Sequence, residues 1–466
     1  MSSRSAHVSE GGRVSWLQPA RAFLVLAPAF GLVLVLVTPP LQAPDEARHL
    51  YRAYAISTGQ WLAEPRDGGA VVRLPTSFGE IERRLGDDIR FDPARKQDVR
   101  RVLREFSVRL EPGRTGRTRL TSLYSPLAYA PSAAAMALAR PWSPAPVVHV
   151  YLGRAASLLC WLLLVYAALR VAPAHGWTLF ALALLPMSLF EAASLSADGF
   201  TNGLAFLFIA VVLRASRADA GRFRWHEGIL LVALSAGVGL AKLAYGPLAG
   251  LVLLVPRHRF GGRAERAAVA VAVVAGSLLP AALWVRALRG IKAHVMSPNT
   301  SPEAQFHFIL AEPLRYGEVL LASLVGRFGN LVETFVGILG HVDTRLPSSV
   351  YWLAPLALLA LALLDGGPES PVRGWGRTWL LLVAGATCAF VMTAAYVGWT
   401  PFGANRVALV QGRYFIPFAP LPLLAIHLAQ SGPWTSRLGP LTLIASASLL
   451  AVAVWSLLGR YYGWPG

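Results

Sequence analysis

The sequence predicts an all-α integral membrane protein: a bundle of about eleven transmembrane helices whose long first extracytoplasmic loop carries amphipathic helices. Three observations lead there. The 466 residues are 55% hydrophobic and only 15% charged, with a mean hydropathy of +0.49, outside the range of ordinary soluble domains. Apolar runs of about 15 to 24 residues recur along the chain, close to the length that crosses a bilayer. The short polar connections from Arg214 to Arg224 and from Arg257 to Arg266 are dense in arginine, which the positive-inside rule assigns to the cytoplasm.

The first apolar run, Phe23 to Val37, follows Arg4, Arg13 and Arg21. Pro39 and Pro40 come after it instead of a small-x-small cleavage pattern, so 21–39 is expected as a permanent span behind a cytoplasmic tail, 1–20. Residues 40–146 form the first extracytoplasmic loop. Its polar part, 41 to about 123, holds about half of all the acidic residues, and Glu80 to Arg109 mixes charge with Ile81, Leu85, Ile89, Phe91, Val99, Leu103 and Phe106. That pattern suits short helices on a membrane surface. Tyr124–Ala139 is apolar but short and carries Pro126 and Pro131, so it reads equally as a re-entrant or surface helix and as a span.

A transmembrane bundle, 147–288, follows, with candidate spans at 147–170, 176–192, 198–214, 228–241, 243–256 and 265–288. The two halves of 228–256 are short and separated by Lys242, the pattern of a broken helix pair lining a cavity. A second outer loop, 289–349, leads to a C-terminal bundle, 350–466, with spans at 350–364, 377–397, 413–429 and 438–458. Asn299-Thr300-Ser301 fits a glycosylation sequon, a pattern too short to carry weight.

The net charge of +18 would suggest nucleic acid in a soluble protein. No zinc-ligand array, aromatic-basic strand pattern or recognition helix accompanies it, and topology accounts for the arginines, so no nucleic-acid partner is expected. Cys160 and Cys388 lie in apolar runs far from other ligands, as packing residues do.

Pro44-Asp45-Glu46-Ala47-Arg48-His49 follows the first span directly. A charge costs roughly 2.5–3.5 kcal/mol at a bilayer centre and much less at its surface, so carboxylates here stay ionised beside apolar substrates. Asp45, His49 and Arg52 share one face of a helix starting at Asp45. Either they form an acid–base set, or Asp45 caps a juxtamembrane helix while His49 and Arg52 face water. A His-Glu-x-x-His zinc site would need a second histidine, and only His49 is present.

Lys242 interrupts an apolar stretch, where an intramembrane cation marks a functional site; its expected partners are lipid phosphate oxygens or a carboxylate such as Asp198. Snorkelling at a span end is the alternative. Asp198 reads as a helix cap or as that partner. Arg413 and Tyr414 open another apolar run, and the arginine fork suits a phosphate, although interfacial anchoring uses the same residues. Tyr124 and Tyr129 place two phenols at the same face. One topology puts Asp45, Glu46, His49, Tyr124, Asp198 and Arg413 all at the outer leaflet, which fits an enzyme taking a lipid phosphate from the bilayer and an acceptor from water.

The ordered motifs Pro44-Asp45-Glu46 with His49 and Tyr51-Arg52-Ala53-Tyr54, Tyr124-Ser125-Pro126-Leu127 with Tyr129, Ser196-Ala197-Asp198, Ala241-Lys242 before Tyr245-Gly246-Pro247-Leu248, Val342-Asp343-Thr344-Arg345-Leu346-Pro347, and Gln411-Gly412-Arg413-Tyr414-Phe415 span most of the chain. Together they resemble a family of polytopic bacterial membrane proteins of unknown function grouped with the GT-C glycosyltransferases. The resemblance implies a GT-C-like bundle in the bacterial cytoplasmic membrane, with its active site on the extracytoplasmic side. It implies transfer of a sugar from an isoprenoid-phosphate donor to a glycan, lipid or protein acceptor. Asp45 would be general base, with Glu46 as alternative and His49 orienting. Arg413, Lys242 and Tyr414 would hold the donor phosphate, and Arg52, Tyr124, Tyr129, Asp198 and Asp343 would line the substrate site. Where a divalent cation is needed, Asp45 and Glu46 would bind it. A transporter or flippase of lipid-linked saccharide, and a non-catalytic component of envelope-polysaccharide assembly, are the rival functions.

Overall fold

The computed structural model describes residues 18–464 apart from 67–68, 91, 121–122, 143, 292–298, 366–369, 371 and 429–434; most of the N-terminal tail, with Arg4 and Arg13, lies outside the described residues. In chain order the main elements are α1 (Pro19–Val37), α2 (Glu46–Ser57), β1 (Glu64–Arg66), β2 (Gly69–Pro75), β3 (Thr115–Leu120), α3 (Ala130–Ala139), α4 (Pro146–Val171), α5 (Gly176–Ala183), α6 (Pro186–Ala192), α7 (Ala197–Ala215), α8 (Trp225–Ala241), α9 (Arg263–Ala287), α10 (Pro313–Gly326), α11 (Phe328–Val336), α12 (Ser348–Leu364), α13 (Trp375–Trp399) and α14 (Thr435–Tyr462). Among the described residues six helices are long and apolar enough to cross a membrane: α1, α4, α7, α9, α13 and α14. The pair α10 and α11, bent by 63° and lying within the second outer loop of the sequence reading, makes a seventh if taken as one span.

Proline sets many of these boundaries. Pro19, Pro146, Pro186 and Pro313 each open a helix, where the missing N–H is no loss. Inside a segment proline does the reverse, because its ring clashes with the carbonyl four residues back. Leu243–Leu254, containing Pro247, and Gly412–Phe418, containing Pro417, run as 3-10 helix, whereas α1, α9, α12 and α14 stay α-helical through Pro28, Pro280, Pro355 and Pro440. The break expected within 228–256 falls at Lys242, whose backbone is extended (φ −153°, ψ 115°) between α8 and that segment.

α7 is the central helix: 83% of its apolar window is buried, against 17% for peripheral α9. It packs on α4 and α8, and two apolar cores flank it. One gathers Phe23, Trp161, Phe180 and Phe190; the other gathers Phe208, Leu248, Val252 and Leu421.

The first loop departs from the all-α expectation. β2 pairs antiparallel with β1 and β3, with Ala70 opposite Leu120 and Val72 opposite Thr118, and a two-residue ladder joins Ile338–Leu339 to Thr344–Arg345. The sheet was hidden in the sequence because Thr115–Leu120 alternates arginine with small residues and only Leu120 is buried. The short helices expected between Glu80 and Arg109 are present, among them Val99–Glu105. α2 packs on the sheet, its Leu50 and Tyr54 sharing a core with Val72 and Leu74 of β2 and with Phe78 just beyond it. The segment that read as surface helix or span is a 3-10 turn, Pro126–Tyr129, followed by ten-residue α3, roughly 15 Å long and packed on α2 and α4.

Candidate active site

Three proline-bearing segments meet the first loop at one end of α7, each bringing a charge into an apolar part of the bundle. Glu191 comes on α6, Lys242 at the break after α8, and Arg413 at the start of the second 3-10 segment. Irregular backbone is tolerated at that depth only where protein or a cavity surrounds it.

Lys242 forms an ion pair with Asp198, and its ammonium lies 5.0 Å from the Tyr124 ring centroid and 5.4 Å from that of Tyr414. Asp198, the carboxylate expected as a partner for Lys242, is in contact with it. Asp198 is not a cap: the Ser196 hydroxyl caps α7 by accepting the Asp198 amide at 3.1 Å, which frees the carboxylate for Lys242. Arg413 Nη1 lies 3.6 Å from Glu191 Oε1, its guanidinium sits 5.2 Å from the Tyr414 ring, and its buried Nε has no acceptor among the described residues. Asn202 Nδ2 donates to Glu191 Oε2 at 2.9 Å, and the Tyr245 hydroxyl donates to the Tyr414 carbonyl at 3.0 Å.

Two glycines permit these approaches. A Cβ on Gly412 would sit 1.8 Å from the Leu331 carbonyl oxygen, and one on Gly199 would sit 2.8 Å from the Ala192 Cα. The first lets the Arg413 segment lie against α11, where Gly412 N–H donates to Thr334 Oγ1 at 2.6 Å; the second seats Asp198 beside Glu191.

α2 faces this cluster. His49 and Arg52 do not point to water; they are 8% and 1% exposed. His49 Nδ1 is 2.8 Å from the Tyr129 hydroxyl, and Asp45, Asp198, Lys242 and Arg413 all lie within its electrostatic reach. Burial holds the imidazole below its ordinary value, opposed by the two carboxylates and reinforced by the two cations, so His49 is neutral at pH 7. Arg52 holds Tyr124 in place, Nη2 donating to the Tyr124 and Trp61 carbonyls at 3.3 and 2.9 Å, while Trp284 of α9 covers its guanidinium at 5.8 Å.

Asp45 occupies the N-cap position of α2 in left-handed conformation (φ 55°), yet its side chain makes no cap hydrogen bond and is exposed. Asp and Asn tolerate that conformation better than other residues with a Cβ. The carboxylate is thus open to solvent between His49 and His341, both of which feel its charge.

Glu46 and Asp343 lie outside this arrangement. Glu46 is enclosed by Arg154 of α4, which donates from Nε at 2.7 Å and Nη2 at 2.5 Å and also binds the carbonyls of Val35, Thr38 and Pro39. Both side chains are fully buried. Glu46 therefore pins α2 to the ends of α1 and α4, and its oxygens are not available to share a cation with Asp45. Among the described residues no three His, Cys, Asp or Glu side chains are grouped as metal ligands. Asp343 pairs instead with Arg460 of α14, 2.7 Å from Nε.

Glu191, Asn202 and Trp284 were absent from the sequence reading, and Tyr245 entered it only as part of the motif after Lys242, without a role in the site. Glu191 had a signal: it is the one acidic residue in the run 176–192. Asn202, Trp284 and Tyr245 are uncharged, and only the fold brings them to the cluster.

No curated protein and no solved structure matches the chain. The family described as "Predicted membrane protein (DUF2142)" matches residues 29–422, a stretch that runs from α1 to the Arg413 segment and takes in every group of the cluster. With several apolar helices of spanning length and a match over most of its residues, the chain is a multi-pass membrane protein that belongs to the DUF2142 family.

Proposed function

We propose that the protein is a GT-C-like membrane glycosyltransferase of the bacterial cytoplasmic membrane, moving a sugar from an isoprenoid-phosphate donor to an extracytoplasmic acceptor. Counting α5 with α6 as one crossing, and α8, Leu243–Leu254, the Arg413 segment and α12 as one each, beside the six long helices gives eleven, with α2, the sheet and α3 on the outer side. The observation that carries the reading is the pairing of Asp198 with Lys242 and of Glu191 with Arg413 around the Tyr124 and Tyr414 rings, next to His49, which feels the charge of the open Asp45 carboxylate as well as theirs.

In that reading an acceptor hydroxyl attacks the anomeric carbon and the bond from that carbon to the phosphate oxygen breaks. The hydroxyl proton passes to Asp45, and the isoprenoid phosphate leaves with the bonding electrons, its charge met by Arg413 and Lys242. The free Nε of Arg413 and its long contact with Glu191 leave it able to turn to a phosphate. His49 is neutral and anchored to Tyr129, which suits orienting the acceptor.

The test is purified protein in proteoliposomes supplied with a panel of polyprenyl-phosphate pentoses and hexoses, following free polyprenyl phosphate. Release by the wild type, reduced 10²–10⁴-fold in Asp45→Asn, is expected. The broken helix at Lys242 also suits a flippase; passage of intact donor across the bilayer without release would replace transfer with transport. If deleting the protein alters cellular glycan while Asp45→Asn leaves it unchanged, the protein is an assembly scaffold.

A further inference from the structure

The end of α7 away from Asp198, roughly 28 Å along a 19-residue helix, borders a cleft of about 1310 Å³. Its walls include Arg217, Arg257, Arg266 and Arg373, with Trp375 and Trp379 at the first turns of α13. Asp219, the carboxylate among the described lining residues, is taken by Arg217 at 2.6 Å. Arg257 and Arg266 make no ion pair among the described residues, and they lie close enough for their like charges to repel. Arg266 Nη2 donates to the Leu253 carbonyl at 2.9 Å, while its buried Nε has no acceptor among the described residues. Two neighbouring guanidinium groups and an unmet donor in one cleft call for an anion.

The surroundings select its source. Trp375 is 60% exposed and Trp379 donates its indole N–H to Gly250 O at 2.9 Å, the interfacial placement of tryptophan. Leu253 and Leu254 continue the wall toward the bilayer depth. We propose that this cleft holds the phosphate headgroup of an anionic membrane lipid, seated between Arg257 and Arg266 with its acyl chains running along the tryptophans. Basic pockets between membrane helices bind such headgroups. The site stands at the opposite end of α7 from the Asp45 cluster and does not depend on what that cluster does.

Native mass spectrometry of the full chain tests it, after delipidation and addition of phosphatidylglycerol, phosphatidylcholine or inorganic phosphate. Wild type is expected to retain phosphatidylglycerol in preference to phosphatidylcholine, with affinity falling about 5-fold for either Arg257→Gln or Arg266→Gln and about 25-fold for both. Arg83→Gln, an exposed position in the first loop, should leave retention unchanged, and equal melting temperatures in phosphatidylcholine would show the double variant folded. Unchanged retention in a folded double variant overturns the proposal. Binding of inorganic phosphate without lipid preference overturns the lipid assignment.

Discussion

At the scale of single residues, the two adjacent carboxylates of the first loop have opposite fates. Glu46 is enclosed and Asp45 is open, and one step of the chain separates a structural anion from the one proposed as general base. Removing one member of a buried ion pair typically costs about 3–5 kcal/mol, so Glu46→Gln should lower thermal stability by that order in detergent, with no matching need for acid–base chemistry. Asp45→Asn should melt within about 0.5 kcal/mol of wild type, as an exposed change in a tolerated conformation. His49 makes a prediction in pH. Its imidazole is held below 6.5, so the unfolded chain takes up a proton that the folded protein refuses. Its contribution is full above pH 6.5, is lost as pH falls below that, and levels off once the folded imidazole also protonates. Melting curves of His49→Gln should fall less steeply below pH 6.5 than those of wild type; parallel curves would refute the assignment.

At the scale of elements, the segments that break helix periodicity supply the site. Most spans were legible because long apolar runs with arginine-rich turns admit few arrangements, and Lys242, Asp198 and Arg413 stood out as charges within or beside those runs. The loop sheet was not legible, since its exposed strand carries no period-2 apolar signal. Nor was the split between Asp45 and Glu46, because it depends on Arg154, 108 residues away. Gly412 tests how tightly the Arg413 segment is held. Gly412→Ala meets the Leu331 carbonyl and the Phe335 amide, both backbone, so it should destabilise by about 1–3 kcal/mol and displace Arg413. Activity that survives Gly412→Ala but not Arg413→Gln would separate the guanidinium from its seat.

At the scale of the whole molecule, the orientation is open to direct labelling. Cysteines replacing Arg217 and Arg263 should resist an impermeant thiol reagent applied outside the cell, while one replacing Asp92 should react; the reverse pattern would turn the proposed active site to the cytoplasm. The last helix also has a part in this architecture. Arg460 reaches the carbonyls of Ile89, Asp92 and Arg95, Lys96 reaches back to the carbonyls of Gly459 and Arg460, and Gln97 N–H donates to Tyr461 O. The first loop leaves the ribosome more than three hundred residues before the helix that clasps it. During biogenesis its sheet and short helices must wait, unlatched, until the final helix closes the clasp, so a chain halted before α14 would leave the loop open to proteolysis.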